Sequence, residues 1–294
     1  GTLDFKSGGI LEGKFPTEYL SFLVALLVFG IGKAAIMPIH RWLPAAMVAP
    51  TPVSALLHAV AVVKAGVFSF LVVVVYIIGP EYLFESKASD WLIWLASFTI
   101  LASSIIAISK DDLKARLAYS TISQLSYIIL GAALATTFAI KGASFHIITH
   151  AIGKITLFFC AGAIYVTAHV KKISQLNGLG YKTPLIFFAY TLGALSIIGV
   201  PPFVGSWSKF YLILGSLEAD YLFVAIILGI SSLLNIYYLL EPVFVGFRKK
   251  LTKNIHLTNA PLAVWPPVVT GLGCFVLFFF ANYFDEIING VLFL

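Results

Sequence analysis

Apolar residues in this chain come in blocks of about 20 residues or more, at 17–37, 51–79, 89–109, 113–137, 141–167, 184–216, 221–245 and 261–284. Roughly 20 apolar residues carry a helix across the hydrocarbon of a bilayer. Backbone groups in lipid must pair within their own segment, so each block predicts a helix. The connections are short, and no linker or low-complexity tract divides them. The pattern predicts an all-α, polytopic transmembrane bundle of about eight spans.

Composition agrees: 60% of the 294 residues are hydrophobic and 11% charged, about half the charge of an ordinary soluble domain. The net charge of +6 raises nucleic acid as a partner, but the placement of the charges excludes it. With loops alternating between two sides, one side receives Arg41, Lys110, Lys114, Arg116, Lys171, Lys172, Lys182, Arg248, Lys249, Lys250 and Lys253. The other receives Lys6, Lys14, Lys87 and Lys141. This bias places the first side in the cytoplasm and both termini outside. Cys160 and Cys274 fall inside helices without ligand spacing and read as packing residues. The chain opens on Gly1, with no signal peptide before the first block, and is expected to be processed or part of a longer protein.

Lys33, Lys64, Lys154 and Lys209 lie inside the blocks, where topology does not explain them. A lysine at mid-membrane costs about 2.5–3.5 kcal/mol on insertion scales; snorkelling relieves this only near a helix end. The one acid placed within a span is Glu241, near a helix end and followed by Pro242. One peripheral anion cannot pair four cations. Either some of the lysines rest uncharged, since burial disfavours an ammonium, or carboxylates come from a neighbouring chain. Both arrangements yield groups that exchange protons readily.

The segment "FHIITHAIGKITLFF" (145–159) adds His146 and His150 to Lys154. Steps of four residues advance about 400°, so the three form one drifting stripe roughly 12 Å long. Interhelical hydrogen bonding would explain one histidine. Three titratable groups in register read better as a proton-conducting face. His58 and Lys64 share a block but lie six residues apart, about 240° round a helix, and need not face the same way. Two blocks carry helix breakers beside a lysine: "GIGKAAIMPIHRWLP" (30–44) at Lys33 and "GVPPFVGSWSKFY" (199–211) at Lys209. Proline frees carbonyls at membrane depth, and paired interruptions of this kind mark ion sites in transporters built of repeats. "AYSTISQLSY" (118–127) adds hydroxyls and Gln124, which either bond neighbouring helices or line water.

Together, "MPIHRWLPAAMVAPTPVSALLHAVAVVKAG" (37–66), "LAYSTISQLSYIILG" (117–131), "HAIGKITLFFCAG" (150–162) and "GVPPFVGSWSKFY" (199–211) resemble the antiporter-like proton-translocating subunits. That family is shared by respiratory complex I, membrane-bound hydrogenases and Mrp-type cation/proton antiporters. The resemblance implies a fourteen-helix subunit of two inverted five-helix repeats, each with one broken helix, of which this chain holds the seventh helix onward. Residues 1–79 would end the first repeat, 80–260 would form the second, and 261–294 the final helix. Lys33 matches the lysine of the first broken helix, His58 and Lys64 the relay of the next helix, His150 and Lys154 the centre of the second repeat, and Lys209 the terminal group. The glutamate that partners the Lys33 position belongs to a helix outside this chain. Where many members carry acids, this chain has Ala45 and Val48.

The resemblance implies a proton-translocating subunit of a multisubunit complex, with other membrane subunits as partners, among them whatever supplies the first six helices. "SWSKFYLILGSL" leans toward coupling to cation exchange, with Na⁺ as a possible second ion. Redox-driven pumping in a complex I-like or hydrogenase assembly is the alternative, and a non-transporting structural half-subunit a third reading. The chain carries no glycine-rich nucleotide motif or cysteine set, so no cofactor, metal or redox chemistry of its own is expected. The expected location is a prokaryotic plasma membrane.

Overall fold

Proline and glycine decide which apolar blocks become single helices. In a computed structural model, which describes residues 5–6, 8–56, 60–248 and 257–292, helix α1 (Thr17–Gly30) fills only part of the first block. A 3-10 turn at Gly32–Ala34 follows, and Ala35 adopts a left-handed φ of 55°. Around Pro44, Pro50 and Pro52 the chain forms only the short α2 (Trp42–Ala45) and α3 (Thr51–Ala55). Helix α4 (Val62–Val72) runs on through a wide turn at Val73–Ile78, and α5 (Pro80–Ser86) leaves that segment at 86°.

Three unbroken helices come next: α6 (Asp90–Ser109), α7 (Leu113–Leu134) and α8 (Thr137–Ala168). Asp112 caps α7 by accepting the Ala115 N–H at 2.9 Å, and Thr136 caps α8 through the Ala139 N–H at 3.4 Å, each satisfying a donor that the first turn leaves free. After the short α9 (Leu179–Lys182), block 184–216 divides into α10 (Pro184–Ile198) and α11 (Gly205–Glu218). Gly199, at φ +86°, ends α10, and the Val204 N–H beyond the break donates to Cys274 O at 3.0 Å. Helices α12 (Leu222–Gly246), α13 (Pro261–Val276) and α14 (Ala281–Leu292) complete the order.

Among the described residues, five helices are long and apolar enough to cross a membrane, and a sixth if the bent Val62–Ser86 pair counts as one. That is fewer than the eight spans expected from the sequence, because prolines and glycines divide or shorten several of the apolar blocks.

Polarity is distributed the wrong way round for water. Helix α7 is the least apolar of the five, yet 19 of its 22 residues are buried. Ser120, Thr121, Ser123, Gln124 and Ser126 are all inside. The outward faces instead show Trp94, Phe98, Ile105, Leu233, Phe244 and Phe279. Such a surface is favourable against lipid or another apolar helix face, and not against water. This is an all-α integral membrane protein.

The buried apolar residues fall into two clusters. On α7 one holds Leu113, Leu117 and Ala118 and the other begins at Ile122; on α8 they end at Phe145 and resume at Leu157; on α12 they part between Leu228 and Tyr238. Between them lies a polar layer at mid-bundle.

The loop charges also sort by end. Leu113 N–H bonds Lys171 O at 3.0 Å, and Ile173 N–H bonds Asp111 O at 2.8 Å, so Lys110, Lys114, Lys171 and Lys172 share one end. Lys141 pairs with Asp285 at 2.5 Å at the other. Arg116 departs from expectation. It is not a loop charge but is 3% exposed within α7, where it pairs with Glu241. Lys249, Lys250 and Lys253 lie outside the described residues.

Candidate functional site

The polar layer gathers most of the titratable residues singled out in the sequence. Lys154 and His150 are fully buried, His146 is 2% exposed, and Lys64 and Lys209 are 6% exposed. These five come from three elements: α4 gives Lys64, α8 gives both histidines and Lys154, and α11 gives Lys209. Lys33 is not among them. It sits on the 3-10 turn after α1 and is exposed, in a groove of about 680 Å³ lined by Phe29, Gly32, Ile39, Trp42 and Gly66. His58 lies outside the described residues.

The contacts divide the α8 stripe. Lys64 Nζ lies 2.7 Å from His150 Nδ1. His150 and His146 stack with ring centroids 5.8 Å apart, and His146 Nδ1 lies 2.9 Å from Ser208 Oγ. Lys154 turns elsewhere, donating to Ser120 Oγ at 2.6 Å and more weakly to Leu117 O at 3.4 Å. The drift of about 40° per step explains this: two steps rotate Lys154 far enough from His146 to face α7. Lys209 donates to Ser232 Oγ at 2.9 Å and to Ile198 O at 2.8 Å. Ile198 is the last residue of α10, so the lysine satisfies a carbonyl freed by the break. Its ammonium also lies 5.3 Å from the Tyr127 ring centroid, within cation–π range. Tyr127 in turn stacks on His146 at 5.3 Å.

Among the described residues there are two ion pairs, Arg116–Glu241 and Lys141–Asp285. Neither involves Lys64, Lys154 or Lys209. Glu241, the acid that the sequence places within a span, is already engaged with Arg116, and the buried lysines are held by neutral oxygens and an imidazole. An imidazole that gains a proton at Nδ1 and loses one at Nε2 passes it on without moving. His150 is placed to do this, with Lys64 on Nδ1 and, among the described residues, no partner on Nε2; His146 Nε2 likewise has none among the described residues.

Several polar members of the layer were not singled out in the sequence: Ser208, Ser231, Ser232, Asn235 and Tyr238. Ser231, Asn235 and Tyr238 sit at i, i+4 and i+7 on α12, a helical stripe inside an apolar span. That spacing was the available signal, and averaging hydropathy over the block conceals it.

Fold and site together define a polytopic helical membrane protein with an interior file of titratable side chains. Residues 2–235 match the family described as "NADH:quinone oxidoreductase/Mrp antiporter, TM", and the chain belongs to it. It is 35% identical, over 92% of its length, to NADH-quinone oxidoreductase subunit N of Desulforudis audaxviator, covering 56% of that protein. It shares the fold of a chain in the Mrp complex from Dietzia sp. DQ12-45-1b (TM-score 0.83, 22% identity, 96% of this chain and 60% of that one). It also shares that of a chain in the membrane-bound sulfane sulfur reductase, an archaeal respiratory membrane complex (TM-score 0.81, 24% identity, 93% and 56%). The chain therefore spans little more than half the length of these relatives.

Proposed function

We propose that this chain is a proton-translocating, antiporter-like subunit of a multisubunit membrane complex. Protons pass among Lys64, His150, His146, Lys154 and Lys209 by way of hydroxyls and internal water, and the flux is coupled to cation exchange. The observation that carries this reading is the Lys64–His150 contact at 2.7 Å, inside a layer where the lysines have no carboxylate partner among the described residues. A scaffold without transport would gain nothing from lysines that each cost about 2.5–3.5 kcal/mol to bury.

Lys33 and His58 would belong to the first half-path. The exposure of Lys33 in its groove supports a further segment or chain there, one that brings a carboxylate. The end with Lys110, Lys171 and Lys172 faces the cytoplasm by the positive-inside rule, which puts both termini on the outer face of a prokaryotic plasma membrane. Residues 1–79, 80–260 and 261–294 would be the end of one repeat, the whole of the next and the closing helix.

Redox-driven pumping is the second reading, favoured by the relative named as a subunit of NADH-quinone oxidoreductase. The complete complex in vesicles separates the two. A Na⁺ gradient alone drives proton movement in an exchanger; electron donor and acceptor are required in a pump. In either case Lys154→Ala should lower proton movement about a hundredfold. Wild-type rates from that variant would overturn the relay.

A further inference from the structure

At the basic end of the bundle the chain leaves a groove of about 870 Å³, within the ~300–1,000 Å³ usual for a ligand pocket. It shares no lining residue with the polar layer. Four segments wall it: the proline-rich stretch from α2 to α3, the start of α7, the last turns of α8 and the start of α13. Inside it α3 and α8 touch, since a Cβ on Gly162 would lie 3.0 Å from Thr51 Cγ2. The walls are mostly apolar, with Met47, Val48, Phe159, Val166, Leu262 and Pro266 among them. Val48 is 95% and Leu262 89% exposed, so the groove has an open edge of apolar side chains.

Two lysines line the same groove. Lys114 stands in the first turn of α7, and its ammonium donates to Ala49 O at 2.6 Å. That bond ties the α2–α3 stretch to α7 and leaves the ammonium with hydrogens for another acceptor. Lys171 lies just beyond α8, its ammonium 4.9 Å from the centroid of the Tyr165 ring, within cation–π range. Among the described residues neither lysine forms an ion pair. Asp112 is the one acid that lines the groove, and its carboxylate is engaged in the cap of α7 through the Ala115 N–H. Tyr165, also lining the groove and exposed, has the apolar body and polar tip suited to the level of lipid headgroups.

We propose that this groove binds one phospholipid with an anionic headgroup, its phosphate held between Lys114 and Lys171 and an acyl chain lying along Phe159, Val166 and Leu262. The site is separate from the proton relay and stands without it. A chain that leaves the bilayer for the groove exchanges one apolar surrounding for another and gains little. The two ammonium groups, not the apolar walls, therefore decide which lipid enters. Basic pockets between helices at a membrane face take anionic headgroups on this principle. A zwitterionic lipid brings its own cation toward the same lysines and is disfavoured. Because the walls come from α2–α3, α7, α8 and α13, a lipid seated there joins segments far apart in the sequence.

The test places the complete complex in phosphatidylcholine vesicles with a trace of phosphatidylglycerol that carries a photoreactive diazirine on one acyl chain. Mass spectrometry should find the label on residues 159–166 of α8 and 262–266 of α13. Unlabelled phosphatidylglycerol should displace it, and excess phosphatidylcholine or inorganic phosphate should not. Lys171→Gln, at an exposed position, should weaken labelling about fivefold, and Lys114→Gln/Lys171→Gln about twenty-five-fold, as expected of two lysines at a membrane surface. Lys171→Arg should match wild type, and Val166→Trp, which fills the groove and keeps both charges, should abolish the label. Equal labelling by a diazirine phosphatidylcholine, or no loss in the glutamine variants, overturns the proposal. So does displacement by inorganic phosphate, which would make this a site for a free anion, and so does a high-resolution map with a helix seated in the groove. Should the double variant not assemble, Lys171→Gln and Val166→Trp decide.

Discussion

Arg116 shows how much one side chain can close. Pro242 lacks an N–H, so the carbonyl of Tyr238, four residues earlier on α12, loses its helical donor. Arg116 Nη1 takes that carbonyl at 3.2 Å. The same guanidinium reaches Lys110 O at 2.9 Å and Ile108 O at 3.2 Å, beyond and within the last turn of α6, and pairs with Glu241. Arg116→Ala would orphan three carbonyls and a carboxylate, and is expected to cost about 3–5 kcal/mol. Glu241→Gln should cost less, about 1 kcal/mol, because its side chain is 35% exposed and solvent screens it. Thermal unfolding of the detergent-solubilised complex checks the ranking; equal losses would contradict it. The sequence conceals this role, because Arg116 follows Lys110 and Lys114 and reads as one more topology charge. Only the fold brings the end of α6 and the kink of α12 to its tip.

The helices themselves were largely legible. Helices α6, α7, α8 and α12 begin and end close to the bounds of their apolar blocks, because length and hydropathy suffice for an unbroken span. Direction was harder to read. The stripe of His146, His150 and Lys154 is real as a register, but its drift sends His150 to α4 and Lys154 to α7, and no single-helix argument says which neighbour stands where. Small residues set how near those neighbours come. A Cβ on Gly142 would lie 2.7 Å from Leu212 N, and one on Gly215 would lie 2.2 Å from Ala139 N. Gly142→Val should push α11 from α8, part His146 from Ser208, and reduce both assembly and proton movement. A variant with normal yield and flux would show that this approach is dispensable.

The junction between the start of α7 and the end of α8 carries a pH signature of its own. Partial burial raises the Asp111 carboxyl. Bonds from the Ser174 N–H at 2.9 Å and hydroxyl at 2.8 Å, with the charges of Lys172 and Arg116, outweigh that and hold it below its ordinary value. A depressed carboxylate contributes stability above its unfolded pKa, near 3.9, and loses it as pH falls through the folded value. Hydrogen exchange at the Ile173 and Ser174 amides should therefore be unchanged from neutral pH down to about 4 and accelerate below it, once corrected for intrinsic rates. Asp111→Asn should exchange faster at neutral pH and lose that acid step. A step that persists in the variant would move its cause elsewhere.

At the scale of the molecule, the described surface is not uniform. Lys33 lies open on one flank while the other intramembrane lysines are sealed in, and the expectation that all of them lie inside their spans could not separate these cases, since sequence records depth better than cover. In the complete complex, Lys33→Cys should resist a membrane-impermeant maleimide from either side, because the proposed further segment would overlie it. Rapid labelling would mean that the flank stays open. The two apolar clusters have a consequence for energetics. They lie on either side of the polar layer, so if that layer holds the proposed internal water, most of the transmembrane voltage would drop across them and little along the line from Lys64 to Lys209. On the proposed relay, a proton moving sideways between those residues would do little electrical work. The roughly 2.3 kcal/mol per charge per 100 mV falls on the steps that cross the clusters, so defects inside the layer should slow transport by the same factor at every potential.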